Sequence, residues 1–204
     1  MSWISTYRLL ATAALVGWLF TSVWLCVTLR RLHQARHDAL TGVLTRAAWH
    51  AHARRCLGPT ATLGLLDVDG LKTVNDLHGH HAGDEVLRVL ATRLTTELGK
   101  DAVIGRLGGD EFVLLSPTTP THRQLDALVT ELTHPIRLSE QDTTVRVGVA
   151  LGMAPTAPRR GQSAARVLSD ALRAADVAMY RAKKHPEHAW LWTRDQPHLS
   201  PWST

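Results

Sequence analysis

Arg106-Leu107-Gly108-Gly109-Asp110-Glu111-Phe112 decides the fold, because it sets a glycine pair and two adjacent carboxylates inside an otherwise apolar run. Residues that favour β-structure flank it on both sides, at 102–104 and 113–115, as in paired strands. Glycine tolerates the positive φ angles of a tight turn. The stretch therefore predicts a β-hairpin that turns at Gly108-Gly109. Its carboxylates have two open interpretations, a solvated hairpin tip or ligands for a cation.

A second pair of carboxylates ends the apolar segment Leu63–Gly70. Asp67 and Asp69 are two residues apart, so in a strand their side chains lie on one face and Val68 lies on the other. Such carboxylates are the hard oxygen ligands that Mg²⁺ prefers when it also binds phosphates. Two metal ions held this way activate an attacking hydroxyl and neutralise a leaving pyrophosphate. The alternative, that the aspartates cap the next helix, fits Asp69 better than Asp67.

Polar side chains that suit a nucleotide follow this strand. Lys72 can meet a phosphate as a point charge. Asn75 and Asp84 carry groups that can read a purine edge, since an amide offers a donor and an acceptor and a carboxylate accepts two N–H groups. Asp84 can equally be the N-cap of the helix that the apolar spacing predicts over Glu85–Leu98. Both roles stay open for Asp84.

Four ordered motifs resemble those of the GGDEF domain, the catalytic module of diguanylate cyclases. They are Asp38–Arg46, Asp67–Asp84, Gly108–Phe112 and Asp176–Lys183. The resemblance covers about residues 38–192. It implies an α+β fold in which helices flank a palm-like, mainly antiparallel sheet, as in nucleotidyl cyclases and polymerases.

The resemblance also implies a role for each matching residue. The implied metal ligands for two Mg²⁺ or Mn²⁺ ions are Asp67, the Val68 carbonyl, Asp110 and Glu111. The implied catalytic residues are Asp110, Glu111, which helps to activate the 3′-hydroxyl, and Lys72. Guanine would be held by Asn75 and Asp84, the terminal phosphates by Lys72 and Lys183, and the nucleotide would lie against Gly108 and Gly109. An antiparallel homodimer would condense two GTP molecules into cyclic di-GMP and release two pyrophosphates.

Departures from the family pattern refine this interpretation. Gly99 and Ala102 stand where many members carry an inhibitory Arg-x-x-Asp site, which argues against feedback inhibition there. Pro186-Glu187 replaces a Gly-Arg pair, so that a glutamate would repel the triphosphate and weaken GTP binding. Asp84 is retained, which favours cyclic di-GMP over mixed dinucleotides. The alternative function is a weak or inactive domain that serves as a receptor for GTP or cyclic di-GMP, or as a scaffold.

The N-terminal segment contains a long uncharged apolar run, unlike the rest of the 204 residues. The sequence therefore predicts an anchor and linker at 1–37, the GGDEF domain at 38–192 and a tail at 193–204. Leu9–Leu29 has no charge and would reach about 31 Å as a helix, which predicts a single transmembrane helix in the lipid bilayer rather than a cleaved signal. Arg30, Arg31 and Arg36 follow it and only Arg8 precedes it, which predicts an inner-membrane protein whose domain faces the cytoplasm. A membrane sensor partner is one expected source of control.

The remaining composition excludes some classes of protein. The net charge of +5 comes without a basic run interleaved with aromatic residues, so no nucleic-acid partner is expected. The histidines at 78, 80 and 81 lack zinc-site spacing. Periodicity predicts helices near 46–56, 124–132 and 163–184, a strand at 144–153 and a last strand at 189–192.

Overall fold

The computed structural model of the protein describes residues 3–158, 160–184 and 189–191. Within these residues the helices are α1 (Trp3–Arg36), α2 (Arg46–Ala53), α3 (Leu71–His78), α4 (His80–Leu98), α5 (His122–Leu132) and α6 (Ala164–Ala182). The strands are β1 (Leu44–Thr45), β2 (Thr62–Asp69), β3 (Val103–Gly108), β4 (Glu111–Ser116), β5 (Ile136–Leu138), β6 (Thr143–Val145), β7 (Gly148–Pro155) and β8 (Ala189–Leu191).

Six of the strands form one mixed sheet in the order β1-β3-β4-β2-β7-β8. The four central strands pair antiparallel, whereas β1 joins β3 and β8 joins β7 in parallel. β2 lies at the centre, and its residues from Thr62 to Leu66 are buried on both faces. The palm-like α+β fold with flanking helices is thus confirmed, with a parallel pair at each edge of the sheet.

Two apolar layers sandwich the sheet. On one face, Leu66, Phe112 and Leu114 pack with the apolar sides of α3, α4 and α5. On the other face, Leu63 and Leu65 pack with α2 and α6. Because side chains alternate along a strand, successive residues of β2 enter opposite layers. The carboxylates that end β2 are therefore carried on a strand held from both sides.

Local signals in the sequence explain where several helices begin. Thr45 caps α2, and Ser163 caps α6, each through a side-chain oxygen that accepts a backbone N–H. Thr121 and Gln124 form a reciprocal capping box at the start of α5. The helices predicted near these positions are confirmed.

The boundaries after β2 differ from the prediction. α4 begins at His80 rather than at Glu85, so Asp84 lies inside the helix, and its predicted role as an N-cap is wrong. Gly79, with φ 85° and ψ 164°, separates α3 from α4, and this break at a positive φ angle replaces the predicted cap. Gly70 is the residue that precedes α3, so Asp69 is not a cap either.

The strand predicted over 144–153 is two strands. β6 pairs antiparallel with β5 in a separate two-stranded sheet, and β7 begins at Gly148 and pairs with β2. The alternation of side chains continues across the interruption at Arg146-Val147, so the pattern alone cannot show the break.

The chain separates into two compact units, Met1–Arg36 and His37–Thr204. In the first unit, α1 exposes large apolar side chains such as Trp18, Phe20 and Trp24. None of the described helices combines the length and the apolar character that crossing a membrane requires. The transmembrane helix predicted at Leu9–Leu29 is therefore not supported, and polar Thr and Ser residues interrupt its apolar sequence.

Candidate active site

The central strands bring two of the predicted carboxylates together. In the antiparallel register of β2 and β4, Asp67 lies directly opposite Glu111. Side chains of directly opposed residues share a face of the sheet, and here it is the face covered by α6. The carboxyl end of β2 and the start of β4 therefore present carboxylates to one region of solvent.

The hairpin between β3 and β4 has the predicted glycine turn. Its register shifts between Arg106 and Gly108, so the strands are not in simple alignment at the tip. Gly108 and Gly109 have φ angles of 145° and 55°, and a Cβ at either position would meet no atom within 4 Å. Conformation rather than crowding requires glycine here. The backbone beside Asp110 is open to a ligand.

An ion pair fastens this turn to the beginning of the domain. The Arg106 guanidinium donates to the Gly109 carbonyl from Nε at 3.0 Å and from Nη2 at 2.6 Å. Its Nη1 lies 3.0 Å from Oδ1 of Asp38. The same Asp38 oxygen accepts from the backbone N–H and the hydroxyl of Thr41. Burial disfavours the Asp38 carboxylate, but these hydrogen bonds and the Arg106 charge outweigh it and lower the pKa of Asp38.

A lysine from the end of α6 reaches the carboxylates. Lys183 Nζ lies 2.8 Å from Oδ2 of Asp67, whose side chain is only 15% exposed. The hydrogen bond to Asp67 raises the pKa of Lys183, burial opposes this, and the charges of Asp67, Asp69 and Asp110 add to the rise. Three carboxylates therefore act on one ammonium group.

These residues fit a divalent cation by their chemistry. No group of three or more His, Cys, Asp or Glu side chains in the described residues is arranged to hold a metal ion. However, the Lys183 ammonium marks a point at which Asp67, Asp69 and Asp110 already stabilise a positive charge. Carboxylate oxygens are the donors that Mg²⁺ and Mn²⁺ prefer. The donor set therefore suits the predicted ions.

A second group of predicted residues lies on α3 and α4. The Asn75 side chain lies so close to Gly83 that a Cβ there would be 1.9 Å from the Asn75 Oδ1 atom. This oxygen is buried and accepts no hydrogen bond from the described part of the chain. Buried acceptors are normally paired, so Asn75 presents an acceptor that a ligand N–H can satisfy. Asp84 is the next residue on α4 and is half-buried.

The remaining predicted residues in the described part of the chain lie at or just after the end of β2. Lys72 is exposed in the first turn of α3, just after β2, and Val68 is buried in β2. Pro186-Glu187 lies outside the described residues.

The Asp38–Arg106 pair was not predicted, because two opposite charges 68 residues apart carry no local signal. The contribution of Asp69 beside Lys183 was likewise missed, although its spacing from Asp67 indicated a shared face.

Comparison with known proteins supplies independent information. The family described as "Diguanylate cyclase, GGDEF domain" matches residues 35–189. An uncharacterised 19.3 kDa protein of Streptomyces ambofaciens is 42% identical over 171 residues, which cover 83% of this chain and 88% of that protein. The probable diguanylate cyclase DgcC of Escherichia coli is 34% identical over 194 residues, covering 89% of this chain, which spans about half (50%) of its length.

Solved structures show the same fold. The coiled coil and GGDEF domain of DgcB from Caulobacter crescentus, in complex with c-di-GMP, aligns with a TM-score of 0.72. The alignment covers 91% of this chain and 98% of that one, at 23% sequence identity. This likeness concerns the arrangement of helices and strands.

Proposed function

The chain belongs to the GGDEF domain family, and we propose that it is a diguanylate cyclase that condenses two GTP molecules into cyclic di-GMP. One observation carries the proposal: Lys183 Nζ lies 2.8 Å from Oδ2 of Asp67, where the charges of Asp69 and Asp110 also raise the pKa of Lys183. The open glycine turn directly precedes Asp110. Strand β2 carries Asp67 and Asp69 at the centre of the sheet, and Asp110 directly precedes its neighbour β4. An arrangement that stabilises positive charge next to an accessible backbone suits a metal-bound triphosphate.

The metal site would be formed by Asp67, Asp110, Glu111 and the Val68 carbonyl. Bound Mg²⁺ or Mn²⁺, two ions in each active site, would supply Lewis-acid activation of a 3′-hydroxyl and neutralisation of the leaving pyrophosphate. Glu111 would stand beside that hydroxyl and assist in holding or removing its proton. In each half of the reaction a 3′-oxygen–phosphorus bond forms, the bond between the α-phosphorus and the bridging oxygen breaks, and pyrophosphate leaves.

Guanine recognition rests on α3 and α4. Asn75 presents a buried oxygen without a donor from the described residues, and guanine carries N–H donors at N1 and N2. Asp84, half-buried on the neighbouring helix, can accept from the same edge. A base that lacks these donors would leave the acceptors unpaired, which is strongly unfavourable in a buried site.

The triphosphate would be held by cations. Lys72 is exposed in the first turn of α3 and carries a charge that can meet the terminal phosphates. Lys183 follows α6, which packs on the opposite face of the sheet from α3, and contacts Asp67. The glycine turn would let the nucleotide lie against the backbone, because no side chain projects from it.

The reaction requires a second copy of the chain, since one domain binds one GTP and the attacking and attacked nucleotides must face each other. We therefore propose an antiparallel homodimer. The exposed apolar side chains of α1, among them Leu15, Trp18 and Phe20, support self-association because such surface is rarely left in water.

The direct test is product formation by the full-length chain from GTP and Mg²⁺, measured by mass spectrometry. Asp110→Asn should lower cyclic di-GMP formation roughly a hundredfold or more. Asp101→Asn, an exposed aspartate just before the same hairpin, is the matched control and should keep full activity. GTP binding without product in the unaltered chain would instead favour a receptor or scaffold.

The dimer has a separate test in mixtures of the unaltered chain with Asp110→Asn at a constant total concentration. Random pairing at equal amounts leaves about a quarter of the dimers with two intact sites. Activity should therefore fall to about a quarter if both sites are needed. A fall to half would show that each intact site works independently of the site in its partner.

We propose a location for the protein in the cell from the distribution of charge alone. The arginines after residue 29 favour the inner membrane with the domain on the cytoplasmic side, where GTP is found. A membrane sensor partner is part of the same proposal. Fractionation of cells that express the full chain tests it, since carbonate-washed membranes would keep an anchored protein and release a peripheral one.

A further inference from the structure

Lys183 holds a position that the phosphate-binding role does not explain. Its Nζ contacts Oδ2 of Asp67 at 2.8 Å, at the place where Asp69 and Asp110 also contribute negative charge. The neighbouring Lys184 has the same charge and nearly the same sequence position, but its Nζ lies over the Tyr180 ring at 4.3 Å. Of these two lysines, Lys183 is therefore the one that contacts Asp67.

The contact competes with a metal ion for the same oxygen. Mg²⁺ and Mn²⁺ bind carboxylate oxygen at about 2.1 Å, so an ion on Oδ2 would lie next to an ammonium group that is 2.8 Å from that atom. Like charges at such a distance repel strongly in a partly buried site. The lysine stem is long and flexible, so the ammonium can move without any change in α6.

We propose that Lys183 is a resident cation that occupies the carboxylate site in the nucleotide-free protein and is displaced when a metal ion arrives with GTP. This inference rests on the proposed function, because it assigns the carboxylates to the metal. The single ammonium charge offsets part of the negative charge of Asp67, Asp69 and Asp110 while no substrate is bound. The displaced ammonium then finds a new anionic partner in the phosphates.

A coupling between metal and nucleotide follows from this exchange. A metal ion that enters alone breaks the contact between Asp67 and Lys183 and leaves the ammonium without a carboxylate. A metal ion that enters with GTP provides the phosphates that replace it. Each ligand should therefore tighten the binding of the other by the same factor. Removing the lysine charge should weaken this coupling.

The test measures Mn²⁺ binding to the full-length chain through the electron paramagnetic resonance signal of the Mn²⁺ that stays free. The measurement is made without nucleotide and again with a GTP analogue whose α,β-bridge cannot be cleaved. Without nucleotide, Lys183→Met should bind Mn²⁺ roughly tenfold more tightly than the unaltered chain. Lys183→Arg keeps the positive charge and should bind Mn²⁺ as weakly as the unaltered chain does. Lys184→Met is the matched control and should equal the unaltered chain.

The outcomes separate this inference from the proposed function. Equal Mn²⁺ affinity in Lys183→Met and the unaltered chain, or an equal gain in Lys184→Met, would overturn the exchange, whether or not cyclic di-GMP forms. A gain confined to Lys183→Met, with coupling to the analogue reduced, would support it even if no product is made. Asp67→Asn checks the site itself and should lose Mn²⁺ binding in every background.

Discussion

Replacing Gly83 by alanine should damage nucleotide binding without damaging the fold. The added Cβ would lie 1.9 Å from the Asn75 Oδ1 atom and 2.9 Å from its Cγ, well inside van der Waals contact. These atoms are the far end of a side chain, so the Asn75 amide can rotate away while both helices stay in place. The rotation removes the buried acceptor that we assign to guanine.

Gly83→Ala is expected to weaken GTP binding but to leave the free energy of unfolding unchanged or higher. Loss of a hydrogen bond to a buried acceptor weakens binding by about 1 to 3 kcal/mol, or roughly 5- to 150-fold in GTP affinity. Alanine in place of glycine inside a helix stabilises it by up to about 1 kcal/mol. Moving the unpaired oxygen of Asn75 toward water also relieves an unfavourable burial. The free energy of unfolding should therefore stay level or rise.

The assay measures GTP dependence of cyclic di-GMP formation, binding of an uncleavable GTP analogue, and urea denaturation for the same samples. Asn75→Ala and the double variant with Gly83→Ala complete a double-mutant cycle. If the glycine acts through the amide, Gly83→Ala should have almost no effect on affinity once Asn75 is already alanine.

Two results would refute this reasoning. Unchanged analogue affinity in Gly83→Ala, together with a loss in Asn75→Ala, would mean that Asn75 binds in another pose. A fall in unfolding free energy of more than about 2 kcal/mol would mean that the close contact is rigid packing and not a movable amide.

Three further predictions concern stability and regulation. Gly152→Ala places a methyl group 2.1 Å from a backbone nitrogen of α6. This variant should lower the unfolding free energy, measured by urea denaturation, by about 3 kcal/mol or more. Gly58→Ala is the control and should be nearly neutral, because there is open space around Gly58. Asp38→Asn should destabilise by about 1 kcal/mol near pH 6, because the Thr41 hydrogen bonds and the Arg106 charge lower the pKa of Asp38 and so stabilise the fold while its carboxylate is charged. The difference should shrink as pH falls below 3.8; a difference that does not change with pH would argue against the carboxylate charge as its source. Added cyclic di-GMP in large excess over the enzyme should leave the initial rate unchanged, since Gly99 stands where an inhibitory arginine would be; strong inhibition would reveal a product site elsewhere.

The parts of the fold that depend on short stretches of sequence were predictable. The hairpin at Gly108-Gly109 follows from conformational freedom that glycine alone has, and β2 follows from an apolar run that ends in carboxylates. The starts of α5 and α6 follow from capping residues next to them. The start of α4 was misjudged because His80 and His81 belong to the helix although their pattern is not apolar.

The parts that depend on contacts between distant segments were not predictable. The Arg106–Asp38 pair joins the hairpin to the start of the domain, and the approach of Asn75 to Gly83 depends on the packing of α3 against α4. The division of 143–155 into β6 and β7 depends on which neighbour each strand finds, β5 or β2. A regular alternation of side chains is compatible with either partner.

The sequence by itself determined the types of chemical group in the site and their order along the chain, because turn, strand and cap preferences act over a few residues. Only the tertiary structure decided that Lys183, from the end of α6, reaches Asp67 at 2.8 Å. An ion pair across 116 residues of chain leaves no trace in local preferences. It arises because α6 packs on the same face of the sheet that carries Asp67, and the direction of that packing sets where its last lysine ends.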